Sequence, residues 1–133
     1  MMTEKLLFSE LFSSMKINNL VKFYRKKINP KHVRVRLITD KSVDGAFIGG
    51  WFNPFWEECG DPTPIEIDVT VSSKDYKISN KDRGLYDELF ITTVNHEYVH
   101  WEQVKQKRYD KMSEEEREKE AYSRESLFEF LSF

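Results

Sequence analysis

Residues 84 to 108 carry the pattern that most limits how this chain can fold. Leu85, Leu89, Phe90, Ile91, Val94, Val99, Trp101 and Val104 recur without a proline, so the segment reads as one long helix. Its first half is apolar nearly all round, and such a helix runs through the middle of a domain. After Val104 the run Lys105-Gln106-Lys107-Arg108 turns polar and leaves the core.

The flanking segments supply what packs on it. Residues 3 to about 28 keep a helical beat through Leu7, Leu11, Met15 (or Ser14), Leu20 and Phe23 or Tyr24. Asn29-Pro30 ends that helix, because the residue before proline is pushed out of the helical region. Residues 33–39 alternate apolar and basic side chains, as a half-buried strand does. Residues 46–52 form a second strand, where Gly49-Gly50 implies a bulge or a close backbone approach. Residues 65–71 alternate cleanly, with apolar side chains at the odd positions. Ser113 with Glu116 three residues later is a capping box, which starts a last helix reaching about Leu131. Its inward stripe is Ala121, Arg124, Leu127, Phe128 and Leu131. Helix, three strands, helix, helix, with no repeat or linker, predicts one α+β domain over residues 1–133.

Charge and cysteine content narrow the function. The net charge of −2 argues against a nucleic-acid footprint. The basic cluster from Lys22 to Arg36 reads as a solvated helix end and an exposed strand face. Cys59 stands alone, so no intrachain disulfide exists, and its acidic neighbours Glu57, Glu58 and Asp61 disfavour a thiolate nucleophile. The N-terminal stretch is not a signal peptide and no apolar run could span a bilayer, so the expected address is the cytoplasm, without membrane contact.

The chemistry sits in His96-Glu97-Tyr98-Val99-His100. On a helix, residues four apart stack on one face about 6 Å apart along the axis, so two imidazoles there can reach one metal ion. Glu97 is turned about 100° from His96, which sets its carboxylate beside the metal position. There it can take a proton from a bound water, which is the physical content of H-E-x-x-H. The bland alternative is a pair of core histidines bonded to backbone or carboxylates.

With this motif the chain resembles the zincin metallopeptidases. It is most similar to the gluzincins, whose third zinc ligand is a glutamate on a following helix. Its short element order resembles the minigluzincins, so the fold implied is a small zincin-like domain. Trp101 to Lys107 lack the glycine and third histidine of the elongated metzincin motif, and His32 lies far upstream. The resemblance therefore implies an acidic third ligand downstream. Two antiparallel helices joined near Asp110-Lys111-Met112 bring residues 120 to 125 opposite the histidines. Glu120 is the expected ligand, with Glu125 and Glu116 as alternatives. The implied cofactor is Zn²⁺, the general base Glu97, and the substrate a peptide or protein. Tyr122, Tyr109 and Arg124 are candidates to stabilise the oxyanion.

Two further segments bear on substrate contact. Residues 65–71 are either an edge strand that holds an extended peptide or a plain sheet strand. The aromatic run Trp51-Phe52-Asn53-Pro54-Phe55-Trp56 is either core and lid or a contact patch. The competing functional class is a zincin-fold binding or regulatory module with little or no turnover.

Overall fold

A computed structural model describes residues 15–27 and 32–125. Among the described residues the chain forms a small α+β domain of four helices, a three-stranded mixed sheet and a two-stranded pairing. Strand β1 (Met15–Lys16) opens directly into helix α1 (Ile17–Lys27). The expected helix over residues 3–28 is thus shorter at its start within the described residues, and its earlier part lies outside them. Met15 belongs to a strand because it pairs with Ile78 of β5 (Lys77–Ile78). In α1, Ile17, Leu20, Val21 and Tyr24 are buried, at the i, i+3, i+4, i+7 spacing of a helix on a core.

The three expected strands form with the expected bounds: β2 (Val33–Thr39), β3 (Ala46–Phe52) and β4 (Ile65–Val71). Their order is β2-β4-β3, with β2 parallel and β3 antiparallel to β4. Strand β4 is therefore central, and the edge-strand reading of residues 65–71 is overturned. Both of its ladders are occupied, and the edge beside the long helix that is open among the described residues belongs to β3. Ile65, Ile67, Val69 and Val71 are fully buried, in line with the odd-position alternation. On the opposite sheet face Arg34 pairs with Glu66 and Arg36 with Asp68. The alternating basic residues of β2 thus answer the alternating acidic residues of β4.

A short helix, α2 (Trp56–Cys59), lies in the loop before β4. Helix α3 (Asn80–Lys105) crosses the sheet on the same face as α1. It starts four residues before the expected point, because the Ser79 side chain accepts from the Asp82 amide and caps a polar first turn. Tyr24 stacks on Phe90 at 3.9 Å, and its hydroxyl donates to Asp87 at 3.0 Å, joining α1 to α3. The helix is not enclosed on every side: Leu85 is 58% and Leu89 41% exposed, so only one face enters the core. Lys107 closes α3 at a positive φ of 59°, with its amide on the Val104 carbonyl and the Arg108 amide on the Gln103 carbonyl.

A single 3₁₀ turn (Tyr109–Lys111) reverses the chain into α4 (Glu114–Arg124). The capping box forms as expected: the Ser113 hydroxyl accepts from the Glu116 amide, and the Glu116 carboxylate accepts from the Ser113 amide. Ala121 is fully buried against α3. Leu127, Phe128 and Leu131 of the expected stripe lie outside the described residues. No helix among the described residues is long and apolar enough to cross a membrane.

Candidate metal centre

The two histidines stand on adjacent turns of α3, with ring centroids 5.1 Å apart. Each is held by its Nδ1. His96 Nδ1 lies 3.2 Å from Glu125 Oε2, and His100 Nδ1 lies 3.0 Å from Gln103 Oε1. Their Nε2 atoms converge on one carboxylate, that of Glu118, at 2.9 Å from His96 and 3.0 Å from His100. Phe52 stacks on His100 from the sheet side at 6.2 Å, and Tyr122 meets the His96 ring edge-on at 4.7 Å.

The acidic residue at the pair is thus Glu118, where helix geometry had favoured Glu120. Glu120 accepts from Arg108 Nη1 at 3.1 Å, from Arg108 Nη2 at 3.2 Å and from Gln103 Nε2 at 2.9 Å. Burial alone would raise its carboxyl, but the hydrogen bonds from Arg108 and Gln103 outweigh that and hold it below the ordinary carboxylate range. The alternatives are also placed elsewhere. Glu116 is spent on the cap, and Glu125 meets the far nitrogen of His96. The missed signal is helical phase. Residue 118 is three before buried Ala121, a turn of about 60° from it, whereas residue 120 is turned about 100° away. Glu118, Ala121, Tyr122 and Glu125 form the face toward α3, and Glu120 looks sideways toward Arg108.

His96, His100 and Glu118 form a group that could hold a metal ion, their candidate ligand atoms all lying within 4.8 Å of one another. The donor chemistry fits one. With Nδ1 as the donor to Glu125 and Gln103, each imidazole can turn its Nε2 lone pair toward the Glu118 carboxylate, and a cation among the three would satisfy all of them. Two imidazole nitrogens and one carboxylate oxygen are a donor set that zinc accepts in open, three-ligand sites. Tetrahedral ligand atoms around zinc stand about 3.3 Å apart, close to the contacts present.

Glu97 occupies the neighbouring position, 8% exposed, between α3 and β3. Burial pushes its carboxyl up to about 7, with Glu118 adding to the rise and His96 opposing it. Gly50 makes that placement possible. A Cβ there would come within 2.7 Å of Thr93 Cγ2 and 2.9 Å of Glu97 Cγ. The paired glycines therefore mark a close approach, and the β3–β4 register runs unbroken past them. An open cleft of about 470 Å³ lies over this point, bounded by Gly49, Gly50, His96, Glu97, Glu118 and Tyr122.

The remaining candidates separate. Tyr122 borders the cleft. Tyr109 sits on the far side of His100, against Phe52, with Arg117 stacked over its ring. Arg124 is bound by Glu102 through two hydrogen bonds of 3.0 and 3.1 Å. His32 lies against Trp101, with ring centroids 5.0 Å apart. Of the aromatic run, Phe52 is buried and Trp56 stacks on Trp101, whereas Trp51 and Phe55 are exposed. Comparison with known proteins finds no family model, no curated protein and no solved structure that matches the chain.

Proposed function

We propose that the chain is a zinc-dependent peptide hydrolase whose ligands are His96, His100 and Glu118. The observation that supports it is the convergence of both Nε2 atoms on one carboxylate, beside a buried glutamate. A zinc ion held there supplies a Lewis acid, which acidifies a water to near neutral pH and polarises a carbonyl oxygen.

The protein groups carry the rest. Glu97 accepts the proton of the attacking water as the new C–O bond forms at the amide carbon, and gives it to the leaving nitrogen as the C–N bond breaks. A carboxyl held near 7 suits both halves of that exchange at neutral pH. Tyr122 borders the same cleft and is the candidate hydrogen-bond donor to the carbonyl oxygen. The edge of β3, free among the described residues, faces the cleft through Gly49 and Gly50, where an extended peptide backbone can pair without a side chain in the way. The fold reading is accordingly a minimal zincin-like domain of gluzincin type.

The test is elemental analysis of untagged protein together with cleavage of a broad peptide library. Near-equimolar zinc is expected, lost in His100→Ala and Glu118→Ala and kept, though bound more weakly, in Glu120→Ala. Glu97→Gln is expected to keep its zinc and lose about 10²–10⁴-fold in cleavage. Zinc retained in Glu118→Ala refutes the ligand set. Zinc bound without cleavage of any peptide favours the binding-module class instead.

A further inference from the structure

The Glu120 network raises a separate question. A carboxylate two residues from a candidate ligand is fixed by an arginine yet points away from the metal centre. Gln103 stands between the two. It is fully buried, and both amide donors are taken. Nε2 donates to the Arg117 carbonyl at 3.1 Å and to Glu120 Oε1 at 2.9 Å, while Oε1 faces His100 Nδ1 at 3.0 Å. Both partners of Nε2 are pure acceptors, so the amide cannot flip without setting oxygen against oxygen. Its carbonyl is therefore the only group it can offer to His100. A carbonyl accepts and cannot donate, so His100 places a proton on Nδ1, and Nε2 is the nitrogen left to face Glu118.

We propose that Gln103 is a positioning residue that sets the tautomer and rotation of His100, and that Glu120, clamped by Arg108, acts through it by locking the Gln103 amide. The proposal rests on the metal-site reading for its purpose. Its geometry requires no metal. Metal-binding imidazoles are commonly oriented through their second nitrogen, and loss of such a partner costs about 10–100-fold in metal affinity. The two histidines are held differently. His96 meets the carboxylate of Glu125, at the last described residue, whereas His100 meets a neutral amide anchored at two other points. Glu120 thus contributes to the centre at two removes, and the chain from Arg108 to Nε2 of His100 ties the turn after α3 to the site.

The experiment uses Gln103→Met, which keeps volume and removes both donors and the acceptor, and Glu120→Ala, at a partly exposed position. Imidazole nitrogen NMR of the metal-free protein at about pH 8, where a free histidine is neutral, reads the tautomer directly. Wild type is expected to show His100 protonated at Nδ1. Gln103→Met is expected to move it toward Nε2–H and to weaken zinc binding about 10–100-fold in chelator competition. Glu120→Ala is expected to shift both in the same direction by less. A folded Gln103→Met that keeps the Nδ1–H tautomer overturns the proposal, whatever its zinc affinity. Should Gln103→Met fail to fold, Glu120→Ala decides: an unchanged tautomer and unchanged zinc affinity overturn it. A wild type that binds no zinc but shows the Nδ1–H tautomer, lost in Gln103→Met, refutes the metal reading alone and leaves the positioning role standing.

Discussion

Replacing Glu97 with glutamine is expected to stabilise the metal-free protein, and only above mildly acidic pH. The Glu97 carboxyl is held at about 7 by burial, against an ordinary value of 4.5. Between those values the folded chain keeps a proton that the unfolded chain has released. Folded stability therefore falls as pH rises through this window, and the loss is complete above about 7. At about 1.36 kcal/mol per pH unit, the full cost of ionising Glu97 in the fold is about 3 kcal/mol. The titratable groups around it are His96, which favours the carboxylate, and Glu118, which opposes it, with Glu125 at the cleft rim. Glutamine has the same length and no charge at any pH, so the difference between the two proteins isolates this carboxyl. Urea unfolding followed by tryptophan fluorescence in the presence of a chelator measures it. The variant should match wild type near pH 4.5 and exceed it by about 2–3 kcal/mol at pH 8, which is roughly 3–5 °C in Tm per kcal/mol for a domain of this size. Added zinc should narrow the gap, because a nearby cation favours the ionised carboxyl. A gain of equal size at both pH values, or none at pH 8, refutes the reasoning.

Two further outcomes follow from packing. Gly50→Ala is expected to destabilise by about 1–3 kcal/mol in urea unfolding, since its Cβ meets Thr93 and Glu97 below 3 Å, while Gly49→Ala, with nothing within 4 Å, should be nearly neutral. Amide hydrogen exchange of the metal-free protein should be fastest in α4 among the three long helices and should slow there on adding zinc, because Glu118 is the candidate ligand that helix contributes. Equal protection of α3 and α4 without metal would contradict that ordering.

What the sequence disclosed follows the strength of the physical constraint at each point. The three sheet strands were legible because each must bury every second residue, and a slip of one position would turn Ile65, Ile67, Val69 and Val71 to the wrong face. The pairing of His96 with His100 was legible because helical spacing alone brings them together. The place of β4 in the sheet was not. Its alternation reads the same in the centre as at an edge, since Glu66 and Asp68 are met by Arg34 and Arg36 of the next strand and not by water alone. Leu85 and Leu89 misled for the opposite reason: both are apolar and yet exposed.

That Glu118 and not Glu120 faces the histidines has a deeper cause, which lies in how α4 is attached. Within its described residues only Ala121 is buried, so hydrophobic periodicity offers a single anchor from which to count its faces. The helix is held to its surroundings by polar contacts instead. Arg124 binds Glu102, Arg108 binds Glu120, Gln103 donates to the Arg117 carbonyl, and Asn95 donates to the Glu125 carbonyl at 2.9 Å. Such contacts are directional but carry no repeat. In a run where Glu114, Glu115, Glu116, Glu118 and Glu120 crowd seven positions, composition cannot say which carboxylate faces inward. The choice is made on α3, by where Gln103 and Arg108 stand. They claim Glu120, and holding that residue sideways turns Glu118, about 160° round the helix in the other direction, onto the histidines. The sequence thus contained the decision, but in the residues that bind Glu120 and not in the pattern around Glu118 itself.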